Sequence, residues 1–234
     1  FEERTCCPSS RSQLHCAKDW IQASDATTDY LHTCGWMGWP DLPPPLPIPA
    51  GKGVVGWRNG RAGGGTGGNA NWKEYAGACL KGPLKAGVSY RFEFWVGFTY
   101  AINSPPTNIV FYGSPSCTNL PFGAGNEFFG CPLNGAGWVE LGRVPINGAN
   151  EWKLYEINVT PSVDINAIAI GPDCIMAPPV VNFYYFFDNL VLAAQSEFVY
   201  NIKTSGHPCS GTMVLDVADR DSVQYQWYRD GVAL

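Results

Sequence analysis

The sequence predicts an all-β protein: a large β-sandwich over residues 1–194, then the first strands of a second sandwich over 195–234. Three observations predict it. Apolar and polar residues alternate with period two along several segments, which is the signature of strands with one buried face. Glycine (27) and proline (19) are abundant while charged residues make up only 15%, a mixture that suits short strands and tight turns. No segment carries a convincing helical pattern between those strands.

Residues 1–35 are polar, cysteine-rich and irregular, and WMGWPDLPPPLPIPA (36–50) is a proline-rich loop that cannot join a sheet ladder. GKGVVGWRNGRAGGGTGGNANW (51–72) suits close backbone packing or a flexible loop. Its GGGTGG lacks the strand-to-helix context of a phosphate loop. From residue 74 the strands are legible. In VSYRFEFWVGFTY, Tyr90, Phe92, Phe94, Val96 and Phe98 alternate with Arg91, Glu93, Trp95, Gly97 and Thr99. Further strands are expected at 108–113, 137–143, 151–159, 166–171 and 182–192. The last, NFYYFFDNLVL, is apolar on both sides, as a strand deep in a sandwich would be. After Ala193–Ser196 the texture changes, and EFVYNIKTSG, GTMVLDVADR and SVQYQWYRDGVAL read as three strands of another module.

Nine cysteines point to an oxidising compartment. Eight of them, Cys6, Cys7, Cys16, Cys34, Cys79, Cys117, Cys131 and Cys174, precede residue 180 and allow up to four bridges. Cys6, Cys7, Cys16 and Cys34 are expected to pair among themselves, and Cys117 with Cys131 across a Gly/Pro/Asn-rich loop. The alternative is a metal site using His15-Cys16 and His32-Thr33-Cys34, although zinc pairs are usually more tightly spaced. The chain opens without Met at Phe1-Glu2-Glu3, read as export with a leader removed.

A net charge of −5 with no Lys/Arg run argues against nucleic acid, and no apolar run approaches the ~20 residues of a membrane span. No nucleophile, metal or nucleotide motif is present, so the protein is read as non-enzymatic. Carboxylates such as Glu74, Glu93 and Glu140 are candidates for glycosidase chemistry, though a solvated strand face explains them at least as well. Aromatic residues are more telling. Trp95 shares a strand face with Arg91 and Glu93, Trp57-Arg58 sits in a Gly-flanked segment, and Trp72 precedes Glu74. Indole rings beside arginine and carboxylates make a platform for sugar or for a protein partner, with core packing as the plainer account of any one tryptophan. Trp36 and Trp39 could be loop anchors or a contact surface.

Four stretches of the first domain resemble a recurring N-terminal module of large surface proteins exported by the type IX secretion system in gliding and predatory bacteria. They are Phe1-Glu2 with TCCPSSRSQLHCAKDW, SDATTDYLHTCG (24–35), WKEYAGACLKGPLKAGVSYRFEFWV (72–96) and NFYYFFDNLVL (182–192). The opening and closing signatures also resemble galactose-binding-like jelly rolls, including carbohydrate-binding modules. That resemblance implies a jelly-roll β-sandwich with a structural calcium held by Glu2 and Asp188, Asn189 replacing a second Asp. YQWYRDG resembles the third strand of an immunoglobulin-like domain, with Trp227 in its core. Only about 40 residues remain there, against the ~100 such a fold needs, so the protein is expected to continue or be completed by another chain. The function implied is adhesion or recognition of a glycan at the cell surface. Self-assembly with copies of itself into a filament or hook, or service as an accessory domain of a polysaccharide-degrading enzyme, are the alternatives.

Overall fold

In the computed structural model the described residues are 1–61, 69–99, 106–123, 130–148, 151–177, 183–197, 202–206, 214–217, 228–229 and 232–233. The chain divides into two compact units, Phe1–Ala194 and Gln195–Leu234. The first is a jelly-roll sandwich of two antiparallel sheets. One sheet has the order β1-β5-β10-β7-β8, from Trp20–Gln22, Ala76–Leu84, Ile165–Pro172, Thr107–Ser114 and Val139–Ile146. The other has the order β2-β3-β11-β6-β9, from Asp29–His32, Gly53–Arg61, Phe183–Ala194, Tyr90–Gly97 and Trp152–Val159. β4 (Asn69–Lys73) also pairs with β3.

The period-two pattern does what it predicts in β6: Phe92, Phe94 and Val96 are buried between the sheets, where Phe92 stacks on Phe111 of the opposite sheet at 4.5 Å. Tyr185 and Phe187 of β11 complete this core with Trp57 of β3. Each ring so buried contributes roughly 1.5–3 kcal/mol of transfer free energy. The strands expected at 108–113, 137–143, 151–159 and 166–171 appear as β7, β8, β9 and β10.

β11 is buried on both faces for a specific reason. Its outward residues Tyr184 and Phe186 join Leu31 and Val54 in a second apolar layer, roofed by Trp36, Met37, Trp39, Leu42 and Ile48 of the proline-rich loop and by Trp152. Trp152 Nε1 donates to the Pro45 carbonyl at 2.8 Å and ties the roof down. Beyond Asp188 the register slips, with Asn189 in the left-handed region (φ 48°), which asparagine tolerates better than most residues.

Four disulfides form: Cys6–Cys16, Cys7–Cys34, Cys79–Cys117 and Cys131–Cys174. The Cys117–Cys131 bridge expected from sequence does not form, because the two ends of that loop reach opposite ends of β10. Cys79 and Ser114, three residues before Cys117, both register with Ala167 near the start of β10, whereas Cys174 lies just past its end at Pro172. Those ends are roughly 20 Å apart at strand rise, beyond the ~7 Å that a disulfide spans between Cα atoms.

In the second unit, β12 (Ile202–Ser205) pairs with β13 (Val214–Val217), and β14 (Tyr228–Arg229) with β15 (Val232–Ala233). Trp227, His207 and the GGGTGG segment lie outside the described residues. Among the described residues no helix is long and apolar enough to cross a membrane.

Candidate functional site

One edge of β3 pairs with β11 throughout, but its other edge is shared by two short strands. β2 covers Gly53–Gly56 and β4 covers Asn59–Arg61. At the seam between them sit the first residue of β2, Asp29, and the residue after β4, Glu74. Both are buried, at 4% and 2% exposure. Glu74 clasps Arg58 twice: its backbone N–H donates to the Arg58 carbonyl, and its Oε2 accepts the Arg58 amide at 2.7 Å. Its Oε1 accepts from Trp72 Nε1, also at 2.7 Å. Asp29 Oδ1 accepts from the Ser12 amide and Oδ2 from the Tyr184 hydroxyl, both at 2.7 Å. Tyr184 reaches across β3 only because residue 56 is glycine; a Cβ there would collide with the tyrosine hydroxyl.

Over this seam opens a cavity of about 470 Å³, walled by Arg11 and Ser12 of the N-terminal arm, Trp39, Asp41 and Leu42 of the proline-rich loop, and Arg58, Arg61 and Trp72. Each arginine lies over an aromatic ring: Arg11 over Trp39 (5.6 Å), Arg58 over Tyr184 (5.0 Å) and Arg61 over Trp72 (5.2 Å). Burial pushes the carboxyls of Asp29 and Glu74 above the usual carboxylate range, Glu74 the further because the charge of Asp29 adds to it; Arg58 opposes both shifts. Burial likewise raises the Tyr184 phenol well above its ordinary value.

Of the residues nominated from sequence, Arg58 and Trp72 line this cavity. Trp57 does not, and this corrects the expectation: it is 1% exposed and stacks between the sheets against Tyr185 and Phe187 at 4.8 and 4.9 Å. Strand alternation explains the split, since Arg58 and Trp57 are adjacent and must face opposite sides. Arg91, Glu93 and Trp95 lie on β6, away from the cavity lining. There Arg91 pairs with Glu93 and with Glu156. Glu140 pairs with Arg143, on the other sheet. Glu74, weighed from sequence as a catalytic carboxylate, instead braces the cavity floor.

Sequence reasoning missed Arg11, Arg61, Asp29 and the placement of Trp39. Outward parity with Arg58 flags none of them: Arg61 shares β3 with Arg58 but lies past an irregularity in register between Asn59 and Arg61, and the other three come from separate segments.

Glu2 and Asp188, the residues that the resemblance assigns to calcium, close on the same segment. Glu2 accepts the Lys52 and Gly53 amides at 2.7 and 3.1 Å; Asp188 accepts those of Ala50 and Asn189 at 2.8 and 2.7 Å. Burial raises the Asp188 carboxyl to about 6, with the charge of Glu2 adding to the rise. Carboxylate oxygen is the donor type a hard divalent cation takes, and in this structure each of the four oxygens accepts one backbone amide. The Cys6, His15 and Cys16 side chains also cluster within 4.8 Å, but the two sulfurs are bonded to each other and offer no thiolate.

No family model and no curated protein matches this sequence. Solved structures do, at a distance. The K1 cleaved adhesin domain of Lys-gingipain from Porphyromonas gingivalis is 13% identical, covering 76% of this chain and 92% of that one, at a TM-score of 0.43. The CBM22-1–GH10 modules of Clostridium thermocellum endo-1,4-β-D-xylanase 10B, complexed with xylohexaose, are 12% identical over 76% of this chain and 26% of that one (TM-score 0.42). A non-crystalline-cellulose-specific carbohydrate-binding module, CBM28, is 14% identical over 76% and 89% (TM-score 0.40).

Proposed function

We propose that the unit Phe1–Ala194 is a non-enzymatic recognition module that binds a glycan in the seam cavity. The observation that carries this reading is the cavity itself: about 470 Å³, two tryptophans and three arginines in its walls, set on the outer face of a rigid sheet. That volume falls within the usual range for small-ligand sites and suits one or two sugar rings. Indole surface takes the apolar faces of a sugar while guanidinium and carboxylate groups take its polar substituents. Catalysis is disfavoured by the carboxylates, since all four oxygens of Asp29 and Glu74 accept hydrogen bonds from protein donors. A general acid must instead present its proton to the substrate.

In this reading the module is extracellular, which suits its four disulfides. It would sit at the N-terminal end of a large surface adhesin, with immunoglobulin-like repeats as a stalk that supplies avidity to individually weak sugar contacts. The test is a glycan-array screen of the full chain beside its Trp72→Ala variant. Specific retention that the variant loses supports the reading. Retention of no glycan, or equal retention by both, sinks it.

We also propose that Glu2 and Asp188 hold a calcium ion, which would fix the Ala50–Gly53 segment between the two chain ends that carry them. Calcium should then raise the melting temperature over that in chelator, and the rise should vanish in Asp188→Asn. An equal melting temperature in both conditions would leave the four amide hydrogen bonds as the whole of the tie.

A further inference from the structure

We infer that the cavity is built for an acidic sugar: a glycan residue carrying a carboxylate or sulfate, gripped by Arg11, Arg61 and Arg58. This rests on the glycan-binding reading above and narrows its ligand class.

The charged groups of the cavity are balanced in number, Arg11, Arg58 and Arg61 against Asp29, Asp41 and Glu74, but not in position. Asp29 and Glu74 form the buried floor, and each of their oxygens already takes a proton from Ser12, Tyr184, Arg58 or Trp72. Buried at 4% and 2% exposure, they offer little surface to a ligand. Arg11 and Arg61 stand at the exposed rim. Among the described residues, neither has a carboxylate within ion-pairing distance. What each has is an indole face, Trp39 and Trp72 respectively.

The ring engages one side of the guanidinium. It leaves the in-plane N–H edge to donate, while damping the rotation of a long side chain. Two such edges, with Arg58 between them and the floor, make a site rich in donors and poor in acceptors. A neutral sugar presents hydroxyls that must donate as well as accept, and here it would leave its own protons unmatched. A carboxylate or sulfate only accepts, and its planar or tripodal oxygens suit the guanidinium fork. Asp41, exposed at the rim, is the one lining carboxylate positioned to take a hydroxyl proton from the rest of the ring.

The experiment uses the full chain on an array that includes neutral, uronate-bearing and sulfated glycans. The best acidic hit is then titrated against its carboxyl-reduced or desulfated counterpart. Acidic glycans should dominate, and removing the anion should cost about tenfold or more in affinity. Arg61→Gln and Arg11→Gln should each weaken the acidic ligand by about tenfold, and by clearly more than they weaken the neutral counterpart. Both residues are exposed, so neither change threatens the fold. Preference for the uronate or the sulfate arm identifies which anion the site takes. If neutral glycans bind as well as acidic ones, glycan binding stands and the acidic assignment falls. If acidic binding survives in the Arg11→Gln/Arg61→Gln double variant, the anion is held elsewhere and the assignment also falls. If no glycan on the array binds, both readings fall together.

Discussion

Asp29 and Glu74 are costly residues to bury together, and their behaviour is testable by pH alone. A carboxyl whose pKa is raised by folding holds its proton in the native state after the unfolded chain has released it. Stability is therefore greatest at acid pH, on this account, and falls as pH rises through the window between the ordinary carboxylate value and the raised native one. Asp29→Asn should flatten that slope. Its amide can still accept from Ser12 and can donate to Tyr184, so the geometry survives while the like charge beside Glu74 is removed. At pH 7 the variant should be more stable than the parent, and the difference should shrink as pH falls. Urea denaturation across pH 4–8 would measure it, and an unchanged slope would show that the pair does not store this energy. Trp57 offers the contrasting case. Trp57→Ala empties the sandwich core and should cost roughly 3–5 kcal/mol, whereas Trp72→Ala, half-exposed at the cavity, should cost far less and act on binding.

At the scale of elements, the proline-rich loop turns out to be structural. Lacking amide protons at its six prolines, it cannot pair continuously with a strand, so it lies across the sheet as an apolar roof and contributes Trp39, Asp41 and Leu42 to the cavity wall. Trp152 is its latch, fitting over Gly97, where a Cβ would stand 2.8 Å from the indole. Trp152→Phe should remove the bond to Pro45 at a cost of about 0.5–1.5 kcal/mol and speed amide exchange at Asp41 and Leu42. Unchanged exchange would mean that apolar packing alone holds the roof. This element also marks where sequence reading stops. The strands β6 to β11 were legible because each runs for eight or more residues between turn-rich segments, β6 in strict alternation and β11 apolar on both sides. β1, β2 and β4 were not, being three to five residues long, and β3 and β5 are broken up by glycine, proline or polar residues. Arg58 and Trp72 could be nominated because an indole beside charge is visible locally. Arg11 and Asp29 could not, since only the pairing of β2 with β3 and the bond from Ser12 to Asp29 bring them there, and Arg61 could not, since it lies past a register irregularity in β3.

At the scale of the whole first unit, the four bridges divide into two tasks. Cys79–Cys117 and Cys131–Cys174 fasten the long connection after β7 to the two ends of β10's neighbourhood, remote from the cavity lining. Cys6–Cys16 and Cys7–Cys34 instead fold the N-terminal arm and staple it to the turn after β2, where Pro8 accepts the Trp36 amide at 2.7 Å. Arg11 rides on that arm, held over the cavity by the bond from Ser12 to Asp29. Loops of 27 and 38 residues are closed by Cys7–Cys34 and Cys79–Cys117, so on chain entropy each should contribute a similar ~3–4 kcal/mol to stability. Their effects on binding should differ. Removing Cys7 and Cys34 together, as serines, loosens the arm and should weaken the acidic ligand as Arg11→Gln does, whereas the Cys79/Cys117 double serine variant should bind normally at temperatures well below its melting point. Calorimetric titration of the two variants beside their melting curves separates the effects. Equal binding in both would show that the arm positions itself without its bridge, and that Arg11 owes its place to the Ser12–Asp29 contact alone.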